Sequence, residues 1–199
     1  MSARALLLGI GMMLAGASAT AADTAPVASG PSAFPEVMAL FAARTHGRVT
    51  FTEVHELAML KQPLRSSGEL TYLAPDRLEK RTTEPKAEAL VLDHGMLTAQ
   101  RGHRTYTVAL KDAPQVLPFV ESVRATLAGD TAALERYFTV DFTGEVARWQ
   151  LTLTPRDAAI ARTVKLIRMQ GEGAAIRSVE ILESDGDRSL LSIGPELPQ

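Results

Sequence analysis

From Arg48 to Ile193 apolar and polar residues alternate one by one, in runs broken by short turns rich in Gly, Pro and Asp. A period of two puts successive side chains on opposite faces of a strand, so each run is expected to bury one face and wet the other. Val49 and Phe51 alternate with Thr50 and Thr52, and Leu70 and Tyr72 with Glu69 and Thr71. Trp149, Leu151 and Leu153 alternate with Gln150, Thr152 and Thr154. The spacers between runs are too short for the crossovers that parallel strands require. An antiparallel sheet follows, with turns at Ala74-Pro75-Asp76, Asp93-His94-Gly95, Gly171-Glu172-Gly173 and Asp185-Gly186-Asp187.

Two stretches break this period. Phe34, Val37, Met38 and Phe41 recur at helical spacing with Pro35 in the first turn. Val116, Val120, Val123 and Leu127 share a second helical face, with Phe119 beside them, and Gly129-Asp130 stops that helix. Asp130 can cap a shorter helix over Thr131 to Arg136. The expected order is a helix, about six strands, one or two helices and about five strands, an α+β chain. A sheet of about eleven strands curls, and its concave apolar side needs helices, a second sheet or a ligand to cover it.

The amino terminus reads as a targeting segment. Arg4 precedes the apolar run Ala5 to Ala15, and Ala19-Thr20-Ala21 has the small-x-small form of a signal-peptidase site. Residues 1–21 are expected to be a cleaved signal peptide and residues 22–32 a disordered leader. One domain, residues 33–199, follows. The expected location is the periplasm of a Gram-negative bacterium. The chain has no cysteine, which excludes disulfides, thiol chemistry and a lipidated cysteine anchor. A formal charge of −2 with scattered basic residues argues against a nucleic-acid surface.

No catalytic set emerges. His55-Glu56-Leu57-Ala58-Met59 starts like a zinc-protease helix, but Met59 stands where the second histidine is needed. His46, His94 and His103 each adjoin a glycine in an expected turn. There is no G-x-S-x-G elbow and no phosphate-binding glycine loop. No metal, cofactor or enzymatic activity is expected, and the weight falls on binding. The inward positions are mostly aliphatic: Val49, Leu70, Leu90, Leu92, Leu151, Leu153, Val164 and Leu166. Such a lining suits acyl chains where it encloses a hollow, and is plain core where it does not.

Several segments together resemble the LolA-like periplasmic lipoprotein carriers. Gly47-Arg48-Val49-Thr50-Phe51-Thr52-Glu53 is similar to that family's first strand. Ser67-Gly68-Glu69-Leu70-Thr71-Tyr72, Ala74-Pro75-Asp76-Arg77-Leu78-Glu79-Lys80 and Leu90-Val91-Leu92-Asp93-His94-Gly95-Met96-Leu97 are similar to the segments that follow it. The resemblance implies an incomplete β-barrel with a helical lid over a hydrophobic cavity. The implied cargo is an acylated lipoprotein or another envelope lipid, passed from an inner-membrane transporter towards an outer-membrane acceptor by a monomeric carrier. The expected lining is Val49, Phe51, Leu70, Tyr72, Leu90, Leu92, Trp149, Leu151, Leu153, Val164 and Leu166. Phe34, Val37, Met38, Phe41, Val116, Val120, Val123 and Leu127 are the expected lid. Two departures stand out: Ala74 replaces the family's lid-controlling arginine, and Leu78 and Lys80 replace its aromatic residues. The alternative is an envelope protein-interaction module with a filled core.

Overall fold

The structure, a computed structural model, describes residues 32–113 and 116–198. The expected signal peptide and all of the expected leader except Ser32 lie outside the described residues.

Eleven strands form one antiparallel sheet. Before the central helices come β1 (His46–Glu56), β2 (Leu64–Leu73), β3 (Arg77–Glu84), β4 (Glu88–Asp93), β5 (Met96–Arg101) and β6 (Arg104–Ala109). After them come β7 (Phe138–Glu145), β8 (Arg148–Pro155), β9 (Val164–Glu172), β10 (Ala175–Glu183) and β11 (Arg188–Glu196). The spatial order is β6-β5-β4-β3-β2-β1-β11-β10-β9-β8-β7. Every neighbour pair is a hairpin except β1 with β11, which joins the two halves of the chain. The curved sheet stays open, with β6 and β7 as its edges. This is the curled antiparallel sheet that the alternation predicts and the incomplete barrel that the resemblance implies.

Four α-helices cover the sheet among the described residues: α1 (Phe34–Ala42), α2 (Leu117–Leu127), α3 (Thr131–Tyr137) and α4 (Ala158–Ala161). The short α4 has no counterpart in the periodicity, because four residues are too few to show one. The Asp157 side chain caps it, accepting from the backbone N–H groups of Ala159 and Ile160. Asp130 likewise caps α3 through Ala133 N–H.

Cross-strand register arranges the concave face in rows. One runs Val49, Leu70, Lys80, Leu90, Ala99. A second runs Tyr72, Leu78, Leu92, Leu97. On the other side of β1 a row runs Glu53, Leu191, Val179, Met169, Leu151, and another His55, Ser189, Ile181, Ile167, Leu153.

The two halves of the sheet are filled differently. The main core gathers Val37, Met38, Phe41, Leu134, Phe138, Trp149, Leu151, Leu153, Val164, Ile167 and Met169. Rings pack there: the Phe34 and Phe142 centroids lie 5.4 Å apart at a tilt, and Phe41 meets Trp149 edge-on at 5.8 Å. A smaller cluster of Leu92, Leu97 and Leu110 packs with Leu78, Leu90, Val116, Leu117 and Val120 at the other side.

Candidate ligand-binding cavity

A cavity of about 580 Å³ lies between these two clusters, under α2. Leu70, Tyr72, Leu78, Leu90, Leu92 and Leu97 form one wall. Val179, Ile181, Leu191 and Ile193 form the opposite wall, and Val49 on β1 stands between them. The roof is a single stripe of α2: Val116, Phe119, Val120, Val123 and Leu127. Val116 at the N-cap, Val120, Val123 and Leu127 are three or four apart, with Phe119 beside Val120, so one helix face carries them all. The opposite side of α2 is small and fully packed. Ser122 and Thr126 are buried, and their hydroxyls donate back to the carbonyls of Phe119 and Ser122 at 2.8 and 2.7 Å. The helix therefore turns two unlike faces to its surroundings, one against protein and one against the hollow.

The C-terminal end of α2 is fixed closely to α1. Gly129 has φ +65°, and a Cβ there would collide with the Met38 carbonyl oxygen and with Ala42. Only glycine allows both the left-handed turn and this approach. Near the helix middle, Arg124 forks onto both carboxylate oxygens of Glu121 at 2.9–3.1 Å, with Asp130 at 3.5 Å. Arg124, Glu121 and Asp76 line a small cleft beside the main cavity. The turn between β2 and β3 thus offers a carboxylate, and α2 the cation. Tyr72 stands near both; burial pushes its phenol pKa up, while the Arg124 charge pulls down and Asp76 pushes up.

Of the expected lining, Val49, Leu70, Tyr72, Leu90 and Leu92 border the cavity, as do Val116, Val120, Val123 and Leu127 of the expected lid. The other expectations need correction. Phe34, Val37, Met38 and Phe41 belong to the packed core, so α1 is a plug over β7–β9 rather than part of the roof. Trp149, Leu151, Leu153 and Val164 lie beneath that plug. Phe51 is buried on the concave side, opposite Gly68, with the Lys80 ammonium over its ring, and does not reach the hollow. Leu166 falls on the outer face. An extra residue in β9, between the pairs Leu182–Leu166 and Glu183–Val164, reverses the alternation and turns Ile167 and Met169 inward instead.

Sequence reasoning also missed polar residues on the concave wall. Glu53 accepts from Lys80 Nζ at 2.7 Å, Ser66 Oγ at 3.0 Å and Ser189 Oγ at 3.2 Å. Burial alone would raise the Glu53 pKa, but the Lys80 charge and the three hydrogen bonds outweigh it and hold the carboxyl below its ordinary 4.5. His55 Nε2 lies 3.8 Å from Glu183 Oε1. The Glu183 pKa is raised, first by burial and then by Asp185 and Asp187, with His55 opposing. The signal was present in the alternation, which places Glu53 and His55 in phase with Val49 and Phe51.

Asp76, Asp93 and His94 bring one potential metal ligand each within 4.8 Å of one another. Asp93 already binds Arg77 at 2.7 Å through one oxygen and His94 at 2.8 Å through the other, so the group is a polar network at two turns. Among the described residues no helix is long and apolar enough to cross a membrane.

The profile of the outer membrane lipoprotein carrier protein LolA-like family matches residues 28–194. The chain belongs to this LolA-like family. No curated protein matches it. Among solved structures it is similar to a LolA superfamily protein of Nitrosomonas europaea, at 10% identity and TM-score 0.47 over 85% of this chain and 95% of that one. It is similar also to LprF of Mycobacterium bovis, at 12% identity and TM-score 0.36 over 85% and 97%. The complex of MucB with MucA from Pseudomonas aeruginosa is a further likeness, at 14% identity and TM-score 0.43 over 83% and 59%. Within the LolA-like family, whose members bind and carry rather than catalyse, the hollow under α2 is the feature that needs a function.

Proposed function

We propose that this LolA-like chain is a periplasmic carrier that takes acyl chains of lipoproteins or other envelope lipids into the cavity beneath α2 and delivers them towards the outer membrane. The cavity carries the proposal. It measures about 580 Å³, within the roughly 300–1,000 Å³ typical of small-molecule sites, and aliphatic side chains of two sheet walls and one helix enclose it. Burying about ten methylenes there would gain roughly 8 kcal/mol before ordering costs are subtracted. That keeps a chain dry yet leaves it exchangeable. Family membership and the signal-like residues 1–21 support export, and a carrier of this kind would receive cargo from an inner-membrane transporter and give it to an outer-membrane acceptor. It would work as a monomer, as the family resemblance implies.

The test is native mass spectrometry of the protein purified from the periplasm of an expressing bacterium. A co-purifying lipid mass, displaced by a pyrene-labelled acyl probe, is the expected result. If no lipid travels with the protein and no such probe binds, the proposal fails.

A further inference from the structure

One position in the aliphatic row Val49, Leu70, Lys80, Leu90 is an ammonium. Lys80 reaches across two strands to Glu53, and both side chains border the cavity. The Glu53 carboxylate accepts three hydrogen bonds, from Lys80 and Ser66 on one oxygen and from Ser189 on the other. The Lys80 ammonium makes one hydrogen bond to the protein, and its side chain, which borders the cavity, stays 31% exposed. The ammonium has three N–H groups; Glu53 takes one, and the Phe51 ring stands 5.0 Å from the nitrogen. Among the described residues no second oxygen lies within hydrogen-bonding distance of it. An ion pair set into an apolar wall rarely stabilises a fold better than two aliphatic side chains would. A spare charged donor facing a hollow points instead to something that enters it.

We infer that the cargo presents an uncharged acceptor oxygen, an ester or amide carbonyl, to the Lys80 ammonium, with its acyl chain lying along Leu70, Leu90 and Leu92. This deepens the carrier reading and rests on it. The head is uncharged because the Glu53–Lys80 pair is already neutral. A carboxylate head would set a second negative charge on the same ammonium beside Glu53, and the two carboxylates would repel each other. A bare hydrocarbon would leave the donor unmatched and strip its water.

The experiment uses the full mature protein and three pyrene-labelled probes of equal chain length: a methyl ester, a free acid and a hydrocarbon. Binding is followed by fluorescence in the wild type and in Glu53→Gln/Lys80→Met, which removes both charges and strands neither. The double variant should weaken ester binding at least about tenfold and tighten hydrocarbon binding, since no donor is then left unmatched; hydrocarbon binding at or above the wild-type affinity also shows an intact cavity. Lys80→Arg, which restores the cation, should recover most of the ester affinity, and Lys80→Met alone gives a second reading of the same ratio. Ester and hydrocarbon affinities that change in parallel overturn the inference but not the carrier proposal, as does a wild type that binds the acid more tightly than the ester. Failure of all three probes to bind the wild type overturns both.

Discussion

Helix α2 gives a direct way to weigh the hollow, because one face meets it and the other meets packed protein. Val123 borders the cavity, whereas Ala125, two residues on, is fully buried in the main core. Val123→Phe places an extra ring into open space, and valine and phenylalanine have similar helix propensity. Its expected effect on stability is within about 0.5 kcal/mol, or a gain where the ring finds apolar contacts. Ala125→Phe forces the same ring into filled space and should cost at least about 1–3 kcal/mol. Binding should move the other way. A ring that displaces about three methylenes of a bound chain removes roughly 2.4 kcal/mol, about a fifty-fold loss of acyl-probe affinity. Urea denaturation gives the stabilities and pyrene fluorescence the affinity. Equal destabilisation by both variants would mean that no usable space lies under Val123, and the reasoning from the cavity would collapse.

Three further outcomes follow from the geometry. Gly129→Val should cost about 2–4 kcal/mol in urea unfolding, since the left-handed backbone and the collision with Met38 and Ala42 act together; a loss below about 1 kcal/mol would refute the close helix contact. Glu53 is held below its ordinary 4.5, so its ionised form stabilises the fold at neutral pH and that contribution drains away as pH falls below about 4.5; the melting temperature of Glu53→Gln should fall less steeply than wild type over that range. Glu183 has the opposite sign: its pKa is raised, so ionising it as pH rises above about 4.5 costs stability. Glu183→Gln should therefore melt higher than wild type at pH 7 and no higher at pH 4, and equal differences at both pH values would contradict the assignment.

The strands were legible because their period and their turns agree. Asp93-His94-Gly95 closes the β4–β5 hairpin with His94 at φ 47° and Gly95 at φ 72°, the left-handed pair that a two-residue turn needs. The helical face of α2 was legible for the same reason, since Val116, Val120, Val123 and Leu127 all point into the hollow. Leu166 was lost because a single extra residue inverts a period of two, and nothing in Thr163 to Gln170 marks the place. The fate of α1 was illegible for a different reason. Amphipathic spacing says that Phe34, Val37, Met38 and Phe41 are covered, not what covers them. Glu53 and Lys80 are absent from the expected lining because that lining is drawn from apolar residues alone; here the strand phase is the better guide.

The distribution of rings explains why one half of the concave face is solid and the other hollow. Phe34, Phe41, Phe138, Phe142 and Trp149 all gather over β7–β9, with Leu134 and Met169 between them. Large rigid rings interlock and fill the space that α1 and α3 enclose. On the β1–β4 side the inward residues are chiefly Val and Leu, and the roof above them contributes three valines, Leu127 and a single ring, Phe119. Branched aliphatic side chains on a curved sheet and a straight helix cannot reach one another across the widest gap, so a hollow remains. Its roof is anchored at one end by Gly129 against α1, and at the other by the small cluster of Leu92, Leu97 and Leu110. Between those ends Ala125 and Thr126 are buried, Ala125 within the main core, so any lifting of α2 over the cavity would draw on the packing of the ring-filled side, and the roof of the hollow is coupled to the stability of the fold.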